Sequence, residues 1–335
     1  MLAQLSLSLY QCSFTQKPIR YPGRDSRNTG FSPIVRRNLR DSLKARGLIK
    51  VSLGDWQKGR ETTIRPTSAL LPYFQDIAPD TINTARPPVV IDDTACNAPE
   101  AESIRHQVDN INVALSNHIA TWQGLKLSTT LFRSFSGDLR HGGRFYASTL
   151  TDFQCMSKNR RKRIQLDESE TVELDFDSLH PVLIYNRISE RMPETPYIFD
   201  KSDRARKLIK RSLMALLNAH DINKAKGAIY EKLAEYNLFR RFPTPSSVVG
   251  ILSDRHPALV PFFGSGVGLE LQKTDSDITA RILSDMVVKH GIPCLPVHDS
   301  YIAPKLHGQI LKSTMEKAFF QHLENPKNHP KISES

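Results

Sequence analysis

The stretch Thr171–Tyr185, TVELDFDSLHPVLIY, decides how the rest of the chain is read. Val172, Leu174 and Phe176 alternate with polar residues, the period-2 pattern of a strand with one buried face. Asp175 sits near the end of that strand and Asp177 follows it. Pro181, then Val182, Leu183 and Ile184, suit the opening of a helix. A carboxylate at a strand end before a helix start is a common place to hold a metal, whereas a lone aspartate there more often caps a turn.

Two other segments change that balance. In Gly291–Pro304, GIPCLPVHDSYIAP, the triplet His298-Asp299-Ser300 interrupts two apolar strand halves. That layout predicts a tight hairpin with Asp299 at its tip; taken alone, His298 and Asp299 are ordinary turn residues. In Asp203–Ala219, DRARKLIKRSLMALLNA, the residues Arg206, Lys210, Met214 and Asn218 each follow the last by four. The spacing places all four on one helix face, which alone would be a solvated basic face.

Together these segments resemble the palm of family A DNA polymerases and of the single-subunit RNA polymerases of phages and mitochondria. ELDFDSLHP is similar to motif A, RKLIKRSLMALLNA to motif B and PVHDSYIA to motif C, in the family's order. The resemblance implies nucleotidyl transfer with two Mg²⁺ ions, Mn²⁺ being able to substitute. Asp175 and Asp299 would bridge the ions and the Phe176 carbonyl would complete one shell. Such chemistry needs two ions roughly 3.5–4 Å apart, on the attacking and leaving oxygens, and hard cations take oxygen ligands. Lys210 would act with the two aspartates, and Arg206 would join it on the triphosphate. Met214 matches the RNA enzymes, and Asn218 stands where the family has Tyr. His180, five residues after Asp175, would lie under the sugar; its bulk excludes a 2′-hydroxyl by sterics and favours deoxynucleotides. His-Asp-Ser, in contrast, resembles the RNA enzymes. HGGRFYAS (His141–Ser148) resembles the Gly-Arg motif that holds primer-template, with Arg144 as the contact. LQKTDSDITARI (Leu271–Ile282) resembles the helix before motif C, with Gln272, Ser276 and Asp277 as candidate substrate-side residues, and Gln272 and His298 join Arg144 as candidate nucleic-acid contacts. The run Lys158–Arg163, KNRRKR, precedes motif A and suits phosphate binding.

Composition agrees with such partners. In 335 residues, 46 Lys and Arg outnumber 35 Asp and Glu, a net charge of +11 that points to a polyanion. The four cysteines form no Cys-x-x-Cys pair, which argues against a zinc knuckle and a disulfide framework and fits reduced thiols. No apolar run reaches the ~18 residues of a membrane span. The N-terminus lacks the positive region of a signal peptide, so a cytoplasmic protein without a membrane partner is expected.

Upstream, Ser32-Pro33 suits a helix start, Val35, Leu39 and Leu43 recur at helical spacing, and Gly47 suits its stop. Leu48–Leu53 reads as a strand, Gly54–Arg60 as a turn and Glu61–Arg65 as a returning strand. Helix, strand, basic loop and strand is the pattern of a winged helix-turn-helix. Arg36, Arg37 and Arg40 on the helix and Lys58 and Arg60 on the loop suit a groove and a DNA backbone. A protein-docking unit with a basic face is the alternative. Four stretches follow: 1–75, a winged helix; 76–100, a Pro-rich linker; 101–324, palm and fingers; and 325–335, a flexible tail. Ala101–Thr121 is expected to be a helix with Ile104, Val108, Ile111, Leu115 and Ile119 as its apolar stripe.

The expected fold class is α+β: an antiparallel palm sheet with helices and compact helical fingers, preceded by the winged helix-turn-helix. The expected function is a small DNA polymerase of family A type, acting on DNA primer-template and nucleoside triphosphates to replicate a plasmid, phage or mobile element. A primase or RNA polymerase on the same palm, and a non-catalytic DNA-binding replication initiator, remain open. A metal-dependent nuclease is a more distant possibility, since it leaves the Arg-Lys helix without a use.

Overall fold

A computed structural model describes residues 19–20, 33–54, 62–74, 87–90, 99–147, 153–197 and 202–334. The chain is mixed α+β, with helices and mainly antiparallel sheets. The N-terminal unit comprises β1 (Ile19–Arg20), α1 (Pro33–Ala45), β2 (Ile49–Ser52) and β3 (Thr63–Pro66), its strands in the antiparallel order β1-β3-β2. Helix α1 stops at Gly47, whose φ of +68° suits glycine. There the Leu48 N–H turns back to the Leu43 carbonyl, and Ile49 and Ile64 are buried beneath. The loop bearing Lys58 and Arg60 lies outside the described residues, as does the Arg36 side chain.

The segment expected to be a linker is partly built into the next unit. Its Val89–Val90 forms β4. Then come α2 (Pro99–Leu115), the hairpin β5 (Ala120–Trp122) to β6 (Leu125–Leu127), and the hairpin β7 (Leu131–Ser136) to β8 (Asp138–Ala147). Strand β4 pairs in parallel with β7, and the Pro88 carbonyl accepts the Arg133 N–H at 2.8 Å. Proline lacks only the donor, so it can flank such a short strand at a sheet edge. The helix expected to run to Thr121 ends at Leu115. Asp167 is the reason: its carboxylate takes the Ile119 N–H at 2.7 Å and His118 Nδ1 at 2.6 Å, and Thr121 then pairs with Gln165. Ile119 leaves the apolar stripe and is 56% exposed.

The short α3 (Lys158–Arg161), β9 (Ile164–Leu166) and β10 (Ser169–Asp177) lead to α4 (Leu179–Arg187). Helices α5 (Asp203–Asn218), α6 (Ile222–Tyr236) and α7 (Pro245–Arg255) form a compact group, α5 burying Leu208, Ile209, Leu213, Leu216 and Leu217. Then follow α8 (Gly268–Leu283), extended by one π-helical stretch to Lys289, the hairpin β11 (Leu295–Val297) to β12 (Ser300–Pro304), α9 (Gly308–Leu323) and β13 (Lys331–Glu334). The large sheet runs β11-β12-β10-β9-β5-β6, with β13 also on β10. The tail expected to be flexible is therefore a strand. Ser333 stands opposite Asp175, and the Asn328 side chain donates to the Glu190 carbonyl and accepts from the Met192 N–H. The late residues of β10 supply the backbone partners that this strand needs.

Helix α8 packs on β8, α4 and α9. Arg133, 1% exposed, ties the β7–β8 hairpin to it. Its Nε donates to the Gly143 carbonyl at 2.8 Å, and its Nη2 to Ser276 Oγ at 2.7 Å and Asp277 Oδ1 at 2.9 Å. The rings of Phe135 and Phe145 lie 5.0 and 5.2 Å from its guanidinium. Ser276 and Asp277, expected near substrate, are thus occupied in holding this arginine. Gly143 is required by contact as well as by its φ of +76°, since a Cβ there would lie 2.6 Å from Phe135 and 2.9 Å from Ser276 Oγ. Replacing Arg133 with Ala is expected to lower unfolding stability by about 3 kcal/mol, because it strands buried acceptors. Arg133→Lys should restore little of it, one ammonium being unable to span the three acceptors; denaturant titration checks both.

Candidate active site

Strand β10 becomes a strand because Val172, Leu174 and Phe176 bury one face, and its other face carries Glu173, Asp175 and Asp177. Strand β12 pairs with it so that Ser300 faces Asp175 and Tyr301 faces Leu174. The Phe176 N–H donates to the Asp299 carbonyl at 3.1 Å. Asp175 and Asp299 therefore stand at the same end of neighbouring strands, although far apart in sequence.

Their electrostatics follow from that placement. Burial first, then the Asp299 carboxylate, pushes the Asp175 carboxyl up to about 7, while Lys210 and Lys158 oppose the shift. Burial first, then the Asp275 carboxylate, holds Asp299 above the usual carboxylate range, with His180 and Arg144 opposing. Crowded, half-buried carboxylates of this kind resist shedding both protons. All their donor atoms are hard oxygens, which fits Mg²⁺ or Mn²⁺, and a divalent ion would relieve the same repulsion.

A buried brace sets the geometry. Arg161 donates through Nε and Nη2 to the two oxygens of Glu173, at 2.8 and 2.6 Å. Glu173 Oε1 also accepts the Ser300 hydroxyl at 2.8 Å. Glu173 precedes Asp175 by two residues and Ser300 follows Asp299, so one carboxylate couples the two aspartate-bearing segments. Arg161 of the basic run thus has a structural partner rather than a free guanidinium for phosphate. Backbone strain brackets the pair too: Ser178 and His298 adopt φ of 62° and 59°, left-handed conformations uncommon for residues with a side chain.

Helix α5 presents Arg206 exposed and Lys210 and Met214 half-buried along one face, and Lys210 acts on Asp175 electrostatically. Asn218 is exposed, and its side chain occupies the space that a Cβ on Gly268 would fill. Phe176 is in the core, its ring edge-on to Tyr301 at 6.1 Å, so only its backbone is available to the site. His180 is buried on α4, with Arg144 Nη2 3.4 Å from its Nε2. His298 is exposed at the hairpin tip, edge-on to Tyr146 at 6.4 Å. Gln272 is half-buried on α8. On α1, Arg37 is exposed, and Arg40 is paired with Asp41.

Sequence reasoning missed Glu173, Asp275 and Tyr197. Buried Tyr197 lies beneath the Lys210 ammonium, 5.8 Å from its ring centre, and feels the charges of Arg206, Asp299 and Asp177. Glu173 was legible only as a polar position on a half-buried strand. For Asp275 the one signal was an acidic residue on the helix already singled out.

No known protein family matches the sequence, and no curated protein matches it. Among solved structures, the chain is similar to the POL domain of Pol1 from M. smegmatis in complex with DNA primer-template and dNTP. The TM-score is 0.37 at 12% identity, over 70% of this chain and 51% of that one. The chain thus spans about half the length of that structure. Among the described residues no helix is long and apolar enough to cross a membrane.

The raised Asp175 carboxyl carries a stability consequence. An unfolded aspartate titrates near ~3.9. The folded form therefore holds its proton more tightly, and its contribution is fully present below that value and lost as pH rises through about 7. In chelator, the melting temperature should fall between about pH 5 and pH 8, and Asp175→Asn should remove most of that fall. Mg²⁺ added at pH 8 should raise the melting temperature of the unmodified protein and leave that of Asp175→Asn nearly unmoved.

Proposed function

We propose that this chain is a template-directed nucleotidyltransferase, a DNA polymerase that extends a primer with deoxynucleoside triphosphates. The observation that carries the reading is the meeting of Asp175 and Asp299 at one end of β10 and β12, with Lys210 of α5 in their field. In the reaction, the primer 3′-hydroxyl gives up its proton to water and its oxygen forms a bond to the α-phosphorus of the incoming nucleotide. The bond from that phosphorus to the pyrophosphate oxygen breaks, and pyrophosphate leaves. Two divalent ions held at the site would supply stabilisation of the attacking and leaving oxygens. Asp175 and Asp299 would hold them, with the Phe176 carbonyl as a third oxygen.

Lys210 and Arg206 extend this arrangement along one face of α5. Their donors suit the triphosphate, and Lys210 Nζ can hydrogen-bond the departing phosphate oxygen. Arg144 on β8 would contact the primer-template backbone, with Gln272 and His298 on the same nucleic-acid side. The buried His180 would stand under the sugar and exclude a 2′-hydroxyl. The serine of His-Asp-Ser, which resembles the RNA enzymes, has a local reason here: its hydroxyl is bonded to Glu173. Ser300 therefore does not argue for ribonucleotides. The N-terminal unit, with Arg37 exposed on α1, would contact DNA as a winged helix and bring the larger unit to its template.

The test is extension of a labelled primer-template in Mg²⁺, with dNTPs and NTPs offered separately. Templated growth with dNTPs is expected, reduced about a hundredfold or more in Asp299→Ala through loss of charge stabilisation at the reacting phosphate. Lys210→Ala should raise the nucleotide KM and lower kcat, and His180→Gly should raise ribonucleotide incorporation. Growth with NTPs alone would move the chain to the RNA polymerase or primase class. Tight DNA binding without growth on either set would make it an initiator.

A further inference from the structure

Three polar side chains from three elements meet near Asp299. Arg144 comes from β8, His180 from α4 and Asp275 from α8. Arg144 Nη2 lies 3.4 Å from His180 Nε2 and 3.5 Å from Asp275 Oδ2, and His180 Nε2 lies 3.6 Å from the same oxygen. Asp275 is 1% exposed, yet neither of its carboxylate oxygens has a hydrogen-bond partner, nor do Arg144 Nε and His180 Nδ1. A buried carboxylate so placed is costly unless the charges around it use it. The core does not need it: the neighbouring Ser276 and Asp277 already anchor Arg133, and apolar Ile278 and Ile282 pack the helix.

The triangle also has a logic. His180 Nε2 can accept from Arg144 or donate to Asp275, but it cannot do both with one tautomer. Asp275 is the only carboxylate recorded within ion-pair distance of both among the described residues.

We propose that Asp275 is the positioning residue that holds His180 and Arg144 as one unit, and thereby sets both sugar selection and the grip on the primer-template. This rests on the polymerase reading for the role of His180, and on nucleic-acid binding alone for the role of Arg144. Asp275 itself stays covered and touches neither ligand. His180 excludes the 2′-hydroxyl only while it is fixed in place, and Arg144 reaches the backbone only from a fixed rotamer.

The sign of one measurement separates positioning from bystander charge. Asp275→Asn keeps the shape and removes one negative charge, so simple electrostatics would tighten binding to a polyanion. A positioning role loosens it. The experiment measures affinity of the full chain for a fluorescent primer-template by anisotropy, at several salt concentrations, for the unmodified protein, Asp275→Asn, Arg144→Ala and the double variant. It also measures the ratio of dNTP to NTP incorporation for the unmodified protein, Asp275→Asn, His180→Ala and their double variant. We expect Asp275→Asn to weaken binding and to lower the sugar ratio, each by about tenfold, as for other residues that orient a ligand-contacting group. Each double variant should lose little beyond its more severe single change. Asp275→Asn that binds DNA as tightly or more tightly, with additive double variants, overturns the inference. If the unmodified protein incorporates neither nucleotide, the polymerase reading falls, and the binding cycle with Arg144 still decides for or against Asp275. Asp275→Ser, smaller and neutral, serves if the Asn variant fails to fold, and the same signs apply.

Discussion

Asp175 and Asp299 repel each other, and much of the surrounding structure is arranged to hold them together. The register of β12 on β10 fixes their backbones, and the Phe176 N–H bound to the Asp299 carbonyl closes the end of the ladder. Glu173 then clamps both strands through Ser300 and is itself neutralised by the two-pronged contact with Arg161. Without that arginine, a third carboxylate would stand uncompensated beside a site where burial first, and then the Asp299 charge, already lifts Asp175 to about 7. The basic run before β10 is therefore, through Arg161, part of the support of the site as well as part of the surplus of positive charge.

The same economy appears in the backbone. Ser178 and His298 carry left-handed conformations at the two places where the chain leaves the sheet near Asp175 and Asp299. Each costs free energy that a glycine would avoid, and each turns a side chain or helix toward the site. β13 covers the late residues of β10 opposite Asp175, so the strand carrying the first carboxylate is hydrogen-bonded where an edge would otherwise be open. Rigidity of this kind suits a site that must keep two like charges at a set distance.

Around the carboxylates the positive groups divide into two sets. Lys210 and Arg206 lie on the helical side, on α5, and Tyr197 packs beneath the Lys210 ammonium. Arg144 and His180 lie on the β8 side, with Asp275 behind them. Arg133, deeper still, fastens β8 to α8 and so sets the distance between Arg144 and Asp275. Stability and function are thus connected through a single hairpin, and Gly143 is the residue that lets it come close enough.

Local patterns in the sequence were sufficient to mark the strand of Thr171–Asp177, the hairpin around His298-Asp299, the helix with Arg206, Lys210, Met214 and Asn218 on one face, and the helix-and-hairpin unit ending its helix at Gly47. These depend on periodicity and turn chemistry, which act over a few residues. Asp175, Asp299, Lys210, Arg144 and His180 were singled out by the resemblance to the polymerase motifs, since each taken alone reads as an ordinary turn or surface residue. What the sequence could not determine depended on contacts between distant residues. The end of α2 at Leu115 was set by Asp167, the pairing of Val89–Val90 by β7, and the ordering of the tail by β10. Glu173 read as an ordinary polar strand residue until Arg161 and Ser300 closed on it, and Asp275 as an ordinary helix charge until burial placed it against Arg144 and His180. Burial and ionic pairing are properties of three-dimensional neighbours, and only the tertiary structure assigns those.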